Sequence, residues 1–418
     1  MSAVNSGPDL RLLLYSVWLG VVGGVFTIVY LLLVEEGTHL LWGDTDQVGW
    51  FSGTWQLLLI PVAAGLLVGI LYETMSLPPR FKGFIDELEE GEVDPASAPG
   101  AVLVAVVSLI GGASLGPEAP LGTGAGAAGT WLARRTRADE ATTRAMTFAG
   151  MSAAFGGLVS SPLGGPLLAF ELEHEQSRSY YFSHLIPGIV AGAVSFGIVW
   201  PVLGAPFIGL YEVSGVEFRS WMLTAAVGIG FTGALVSLGI GKVLVSVTGW
   251  MRRLDGRPVV RGVVGGLGVA GTGFLLPLTL FSGQGGLAVV LEDPASIGWA
   301  TLVSLIVVKT VALALSLGAG FYGGPIFPLF FIGGVLGVLI HVVVPALPLG
   351  LAVGGAMAAL GAAAAFIPLS LTILASLIIQ ADFLVSGAIL IAAISGFVFR
   401  FWLLRQGSRA DVQTASRS

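Results

Sequence analysis

The sequence contains no cysteine and few charged residues. Asp, Glu, Lys and Arg make up 11% of the 418 residues, whereas soluble domains contain about a quarter. The lack of cysteine excludes disulfide scaffolds, iron–sulfur clusters and thiolate metal sites. Four scattered histidines, His39, His174, His184 and His341, form no pattern for an imidazole site, so neither a metal nor another cofactor is predicted. The scarcity of charge excludes a soluble globular protein.

Long apolar runs are what the sequence does contain. The first, at residues 12–34, is too long for the core of a signal peptide and has no small-residue cleavage site after it, so we expect a membrane-spanning helix. Further runs lie near residues 52–72, 98–115, 146–170, 184–211, 220–250, 258–281, 298–319, 325–348, 350–380 and 383–404. Glycine and proline interrupt many of them, which is tolerated at membrane depth only where protein or a wet cavity surrounds the backbone. The sequence therefore predicts an all-α polytopic membrane protein with broken helices.

The positions of the charges predict the orientation. Arginine clusters lie at residues 134–144, 252–261 and 400–409, and the positive-inside rule places all three in the cytoplasm. The loop at residues 35–49 has acids but no Lys or Arg, so we expect it on the outer face and both termini in the cytoplasm. Residues 406–418 then form a short cytoplasmic tail, which we expect to be disordered. Much of the net charge of −6 sits in the acidic loop at residues 86–94, and so gives no indication of nucleic-acid binding.

A short motif occurs twice and indicates an internal repeat. Gly-Pro-Glu-Ala-Pro at 116–120 is followed by Pro162, and Gly-Pro-Ile-Phe-Pro at 324–328 is followed at nearly the same distance by Pro368. We therefore predict one transmembrane domain, residues 1–405, with a first repeat at about 12–211 and a second at about 220–404. Repeats interrupted at matching places are typical of transporters and channels whose site lies near the middle of the membrane.

Each copy of the motif can begin a helix, because proline suits the first helical turn. The free N–H groups of that turn and the helix dipole favour an anion, so the predicted ligand is negative. The alternative is that both copies only mark re-entrant turns, since glycine and proline are common in membrane helices.

The motifs resemble those of the CLC family of chloride channels and chloride/proton exchangers. Residues 115–120 resemble the family's GREGP segment, and residues 323–328 resemble its GxFxP segment. Residues 76–79, together with Gly83, resemble its GSGIP segment. Residues 161–166, which lead into Glu171, resemble the start of the family's helix after the gate. The resemblance implies a CLC-like inverted repeat of tilted and broken helices, a pore within each subunit and a homodimer. It implies that Glu118 is the gate, its carboxylate blocking the anion pathway until it is protonated or displaced by chloride. The alternative role for Glu118 is a helix cap paired with an arginine.

The resemblance also implies the residues that hold the anion. Ser76 would donate its hydroxyl, unless it is an ordinary turn residue. The remaining predicted anion-binding residues belong to the two motifs: Gly116, Pro117, Ala119, Gly324, Ile326 and Phe327. Pro325 has no amide hydrogen where the family usually has one, which leaves selectivity among chloride, fluoride and nitrate open.

Two further departures from the family concern protons and the inner gate. Leu172 occupies the position of the glutamate that receives protons in the exchangers. Either Glu171 or Glu173 takes over as proton relay, or transport is uncoupled and these acids are a solvated helix end. The family's pore tyrosine has no clear counterpart among Phe397, Phe399 and Phe401.

The predicted function is transport of an anion, most simply chloride, through a pathway gated by Glu118, as a voltage- or pH-dependent channel. The first alternative is a chloride/proton antiporter, and a more remote one is a secondary transporter of an organic anion. An enzyme is not predicted, since no GxSxG motif or paired nucleophile and base is present. Lys309 is expected to extend to a membrane interface. The predicted location is the cell membrane, where the lipid bilayer surrounds the protein. Besides the anion, protons are predicted as a second transported ion if the protein is an antiporter.

Overall fold

The computed structural model describes residues 9–43, 54–172, 180–211, 213 and 216–415, and these are almost entirely helical. The helices are α1 Leu10–Trp42, α2 Thr54–Thr74, α3 Phe84–Glu90, α4 Ala98–Ile110, α5 Glu118–Thr136, α6 Glu140–Leu158, α7 Gly164–Leu172, α8 Ile186–Leu203, α9 Trp221–Met251, α10 Pro258–Leu275, α11 Gln284–Glu292, α12 Trp299–Ala319, α13 Ile326–Val343, α14 Leu349–Ala365, α15 Pro368–Ile378 and α16 Phe383–Ala415. A π-helical turn, Tyr181–Leu185, leads into α8.

Eight segments of the described chain are long and apolar enough to cross a membrane, and shorter apolar helices lie between them. The short helices α4, α7 and α15 are the broken elements that glycine and proline predict. This confirms the all-α polytopic prediction. The expectation of a disordered tail after residue 405 is wrong, because α16 continues to Ala415 without interruption.

The internal repeat is visible in the order of the helices. In the first copy, the motif leads into α5, α6 and the short α7, and in the second it leads into α13, α14 and the short α15. Glu118 begins α5 and Ile326 begins α13, and both hold the third position of their motif. In both motifs, therefore, a helix begins directly after a glycine–proline pair. The outer limits of the two repeats remain a prediction.

Contacts divide the chain into two compact units. The first contains the described residues of Met1–Ile208, Val247–Gly285 and Val311–Pro328. Within it α6 packs on α1, α5 and α8, and α2 packs on α10. Small residues allow the last pair to approach closely: a Cβ atom at Gly65 would lie 2.1 Å from the carbonyl oxygen of Gly262. Packing through glycine is the usual means by which membrane helices associate.

The second unit contains the described residues of Gly209–Ser246, Gly286–Thr310 and Leu329–Ser418. Within it the glycine- and alanine-rich helix α14 packs against α15 and α16, and most of its residues are buried. Lys309, on α12, is fully buried, with its Nζ atom 5.0 Å from the centre of the Phe331 ring. The expectation that Lys309 extends to an interface is therefore wrong, because its ammonium group lies over an aromatic face instead.

Candidate functional site

The two repeat motifs meet in the first unit. Gly116 and Gly324 form an isolated antiparallel bridge, in which each N–H donates to the other residue's carbonyl oxygen at 2.8 Å. A reciprocal pair of this kind relates its two residues by a local two-fold axis. Since Gly116 and Gly324 hold the same position in their motifs, the bridge is what an inverted repeat requires at its centre. Their amide hydrogens are engaged in the bridge, so the glycines contribute space to the site.

Glu118 lies directly after this bridge and its side chain reaches the second repeat. The residue is 1% exposed. Its Oε1 atom accepts a hydrogen bond from the Ile326 N–H at 2.7 Å and a longer one from the Phe327 N–H at 3.4 Å. Both donors belong to the start of α13, whose free N–H groups and dipole favour a negative charge. The carboxylate therefore occupies a place where the backbone is arranged to hold an anion.

Gly116 and Gly324 leave the space that the Glu118 carboxyl group fills. A Cβ atom at Gly324 would lie 2.1 Å from Cδ of Glu118, and one at Gly116 would lie 2.1 Å from its Oε2. Carbon atoms in contact are normally about 3.5–4.0 Å apart. Any side chain at either position would therefore force the carboxyl group to move.

The two carboxyl oxygens of Glu118 have different surroundings. Oε1 is held by α13, whereas Oε2 is buried and has no hydrogen-bond partner among the described residues. A buried carboxylate oxygen without a partner is costly, which makes this conformation easy to disturb by protonation or rotation. The alternative of a helix cap paired with an arginine is not supported, because the hydrogen bonds to the carboxyl group come from the backbone N–H groups of Ile326 and Phe327.

A cavity of about 410 Å³ reaches the gate region from one side. It is lined by Pro117, next to Glu118, and by Phe207, which packs on Phe327 with ring centres 4.5 Å apart. It is also lined by Glu35 and Thr38, which belong to α1, so the expectation of a loop at residues 35–49 is wrong for residues 35–42. The cavity therefore approaches Glu118 as far as the neighbouring Pro117.

A second polar group in the first unit was not predicted from the sequence. The Thr123 hydroxyl on α5 donates to Oε2 of Glu87 on α3 at 2.5 Å and lies 2.6 Å from the Tyr322 hydroxyl. All three residues are buried, with exposures of 7% for Glu87, 2% for Thr123 and 6% for Tyr322. The sequence offered one signal for this group, since Tyr322 immediately precedes the Gly323-Gly324 pair.

Burial changes the chemistry of Glu87. It raises the pKa of the carboxyl from its ordinary value of 4.5 to about 7, although the hydrogen bond from Thr123 opposes the shift. Glu87 can therefore gain and lose a proton near neutral pH. The other acids of the loop are exposed, so its one buried acid is the one with this property.

Buried Arg261 fixes the segment that leads into α3. Its Nη1 atom donates to the carbonyl oxygen of Pro79 at 2.7 Å and to Oδ1 of Asp255 at 2.9 Å. The next aromatic residue, Phe81, places its ring 5.0 Å from the ring of Tyr322. These contacts hold the start of α3 beside Tyr322 and so position Glu87.

The other predicted site residues differ in their burial and in their location in the structure. Ala119 is buried in the first turn of α5. Ser76 is exposed in a turn after α2 with φ of 51°, and the segment that the structure brings beside Tyr322 is 79–81. Glu171 is half-buried at the end of α7, and Glu173 lies outside the described residues. The roles predicted for Ser76, Glu171 and Glu173 thus remain predictions.

Known proteins resemble this chain over most of its length. The "Chloride/fluoride channel protein" of Pseudomonas syringae pv. tomato is 29% identical over 401 residues, covering 90% of this chain and 83% of the relative. The "Putative ion-transport protein YfeO" of Escherichia coli is 26% identical over 368 residues, covering 83% of both chains.

Solved structures share the fold. A slow cyanobacterial Cl⁻/H⁺ antiporter aligns with a TM-score of 0.80 at 19% identity, over 94% of this chain and 95% of the other. A CLC-type fluoride/proton antiporter aligns with a TM-score of 0.76 at 18% identity, over 93% and 95%. The family model described as "Voltage gated chloride channel" matches residues 64–400, well over half of the sequence. The chain is therefore a member of the voltage gated chloride channel family, the CLC family, and its function is anion transport.

Proposed function

We propose that the protein carries chloride across the membrane and that Glu118 is its gate. The observation that carries the proposal is the position of the Glu118 carboxylate, which fills the anion-favouring start of α13 between two equivalent glycines. A chloride ion that replaces the carboxylate would find the N–H groups of Ile326 and Phe327. The carboxylate and the anion then compete for one place, so protonation or rotation of Glu118 opens the pathway.

The proposal extends to the predicted surroundings of the protein. It acts as a transport protein and not as an enzyme, as a homodimer in the cell membrane with both termini in the cytoplasm. The arginine clusters at residues 134–144, 252–261 and 400–409 support this orientation through the positive-inside rule. A dimer is tested by the mass of the detergent-solubilised protein, for which twice the mass of 42.9 kDa is expected.

Chloride efflux from proteoliposomes tests the gate. Glu118→Gln keeps the shape of the side chain but cannot ionise, so we expect chloride efflux to continue and its pH dependence to disappear. An unchanged pH dependence would contradict the role of Glu118. Ser76→Ala in the same vesicles tests the predicted hydroxyl donor: weaker chloride binding supports it, and unchanged binding makes Ser76 a turn residue.

The same vesicles separate the alternative functions. Fluoride is measured beside chloride because a relative is named for both anions. Uptake of an organic anion without chloride movement would favour the remote alternative. Recording external pH together with chloride distinguishes a channel from a chloride/proton antiporter, in which proton and chloride fluxes keep a fixed ratio.

A further inference from the structure

Glu87, Thr123 and Tyr322 form a hydrogen-bonded chain with a defined direction. A threonine hydroxyl has one hydrogen, and that of Thr123 is donated to Glu87. The hydrogen between Thr123 and Tyr322 must then come from the Tyr322 hydroxyl. While Glu87 is ionised, every hydroxyl in the chain therefore points its hydrogen towards Glu87. Protonation of Glu87 reverses both donors.

One end of this chain faces the side assigned to the cytoplasm. Glu92, two residues beyond α3, pairs with Arg134 of an arginine cluster at 2.7 Å. Before α3, Arg80 pairs with Asp255, beside a second cluster, at 3.2 Å. Glu87 lies between these two anchors along the chain.

The charged groups around Glu87 lie on the loop before α3 and on α3 itself. Lys82 pairs with Glu90 at 2.5 Å, and Asp86 accepts the N–H of Gly83. The charges of Lys82, Asp86 and Glu90 all act on Glu87. Thr123 on α5 contacts Glu87, and Tyr322 in the segment before α13 contacts Thr123. The exposed acids and lysine connect Glu87 to solvent, whereas the hydroxyls lead inward.

The other end of the chain leads towards the gate. The hydroxyl of Tyr30, on α1, is fully buried and has no hydrogen-bond partner among the described residues, as is true of Oε2 of Glu118. Tyr322 lies two residues before Gly324, where a Cβ atom would lie 2.1 Å from Cδ of Glu118. Buried water is the usual partner of buried oxygens that have none in the protein, and the path needs such a water between Tyr322 and Glu118.

We propose that Glu87 exchanges protons with the inner solution and passes them through Thr123 and Tyr322 to Glu118. This inference rests on the proposed gating role of Glu118, and it replaces Glu171 and Glu173 as the proton relay. Leu172 then breaks the relay of the exchangers without ending proton coupling, because α3 supplies another carboxyl group on the same side of the gate.

The transfer moves one proton and leaves every hydroxyl neutral. Protonated Glu87 gives its proton to Thr123 Oγ1, while the Thr123 hydrogen moves to the Tyr322 oxygen. The Tyr322 hydrogen moves through water near Tyr30 to Oε2 of Glu118. Glu87 is left ionised and Glu118 neutral, and the neutral carboxyl group loses its charge-assisted bond to the Ile326 N–H. It can then turn towards the cavity and release the proton on the outer side.

Paired recordings of chloride and external pH in proteoliposomes under a chloride gradient test this path. We expect the wild-type protein to move protons against chloride. Because a positioned proton-transfer group contributes about a hundredfold or more, Glu87→Gln should lower the proton flux at least about tenfold and leave chloride flux within about twofold. Tyr322→Phe, which keeps the ring, should do the same, and it tests the path independently where Glu87→Gln fails to fold.

Matched variants separate the outcomes. Glu89→Gln changes an exposed acid of the same helix and should leave the proton-to-chloride ratio unchanged, as should Glu171→Gln. A normal ratio in both Glu87→Gln and Tyr322→Phe, or a loss confined to Glu171→Gln, overturns the path. A wild-type protein that moves chloride without protons also overturns it, yet leaves the Glu118 gate standing. Loss of the gate itself would show as chloride efflux that Glu118→Gln does not alter.

Discussion

The space at Gly324 provides the sharpest test of the gate. In Gly324→Ala, the added methyl carbon would lie 2.1 Å from Cδ and 2.2 Å from Oε1 of Glu118. Because carbon atoms in contact stay about 3.5–4.0 Å apart, the carboxyl group must move by about 1.5 Å. The backbone of Gly324 is outside the left-handed region, so alanine causes no strain of its own. The displaced atoms are the end of a flexible side chain, which can turn away.

The cost of this displacement is the loss of the hydrogen bonds from Ile326 and Phe327 to Oε1. A hydrogen bond to a charged group contributes about 1.5–3 kcal/mol. Losing about 2 kcal/mol from the closed state shifts the closed-to-open ratio about 30-fold towards open. We therefore expect Gly324→Ala to conduct chloride faster than the wild type at alkaline pH, where an ionised Glu118 blocks the wild-type pathway, and to respond less to pH.

Stopped-flow or electrode measurements of chloride efflux across a pH series would show this effect. Gly271→Ala is the matched control, since a methyl group there meets nothing within 4 Å. In a Glu118→Ala background, Gly324→Ala should have no further effect, because its nearest contacts are all atoms of Glu118. A Gly324→Ala protein with wild-type efflux and wild-type pH dependence would refute the competition between carboxylate and anion.

Two further predictions concern stability. Because burial raises the pKa of Glu87 from 4.5 to about 7, the folded state favours its protonated form, and this contribution is complete below about pH 4.5 and lost as the pH rises through about 7. It amounts to at most about 3 kcal/mol, so Glu87→Gln should flatten the fall in Tm between about pH 5 and 8, and an unchanged fall would contradict the shift. Gly65→Ala should lower Tm, because its methyl group would lie 2.1 Å from the Gly262 carbonyl oxygen, whereas Gly228→Ala, with nothing within 4 Å, should not. Equal Tm values for these two alanine variants would show that α2 and α10 separate without cost.

The sequence predicted the parts of the site that depend on local rules. Proline and glycine at fixed positions begin a helix, so α5 and α13 start at Glu118 and Ile326 as their motifs require. The repeat of the motif predicted that the two helix starts work together, and the bridge between Gly116 and Gly324 agrees with that reasoning. The resemblance to the CLC family is likewise confirmed.

The remaining features depend on contacts between distant residues. Glu87 looks like any other acid of its loop, and only the approach of Thr123 and Tyr322 distinguishes it. Lys309 was expected at an interface because a single charge in an apolar helix usually extends to water, but the ring of Phe331 receives it instead. No periodicity or motif spacing in the sequence indicates the contacts of Glu87 or the contact between Lys309 and Phe331.

The bridge between Gly116 and Gly324 determines what has to move when the pathway opens. It fixes the backbone two residues before Glu118 and two residues before Ile326, so the start of each helix is tied to the other. With Glu118 as the proposed gate, opening requires rotation about the side-chain bonds of one glutamate, while α5 and α13 keep their places. The energy barrier is that of breaking two hydrogen bonds and not of separating packed helices. We expect such a gate to respond to a single proton or a single anion.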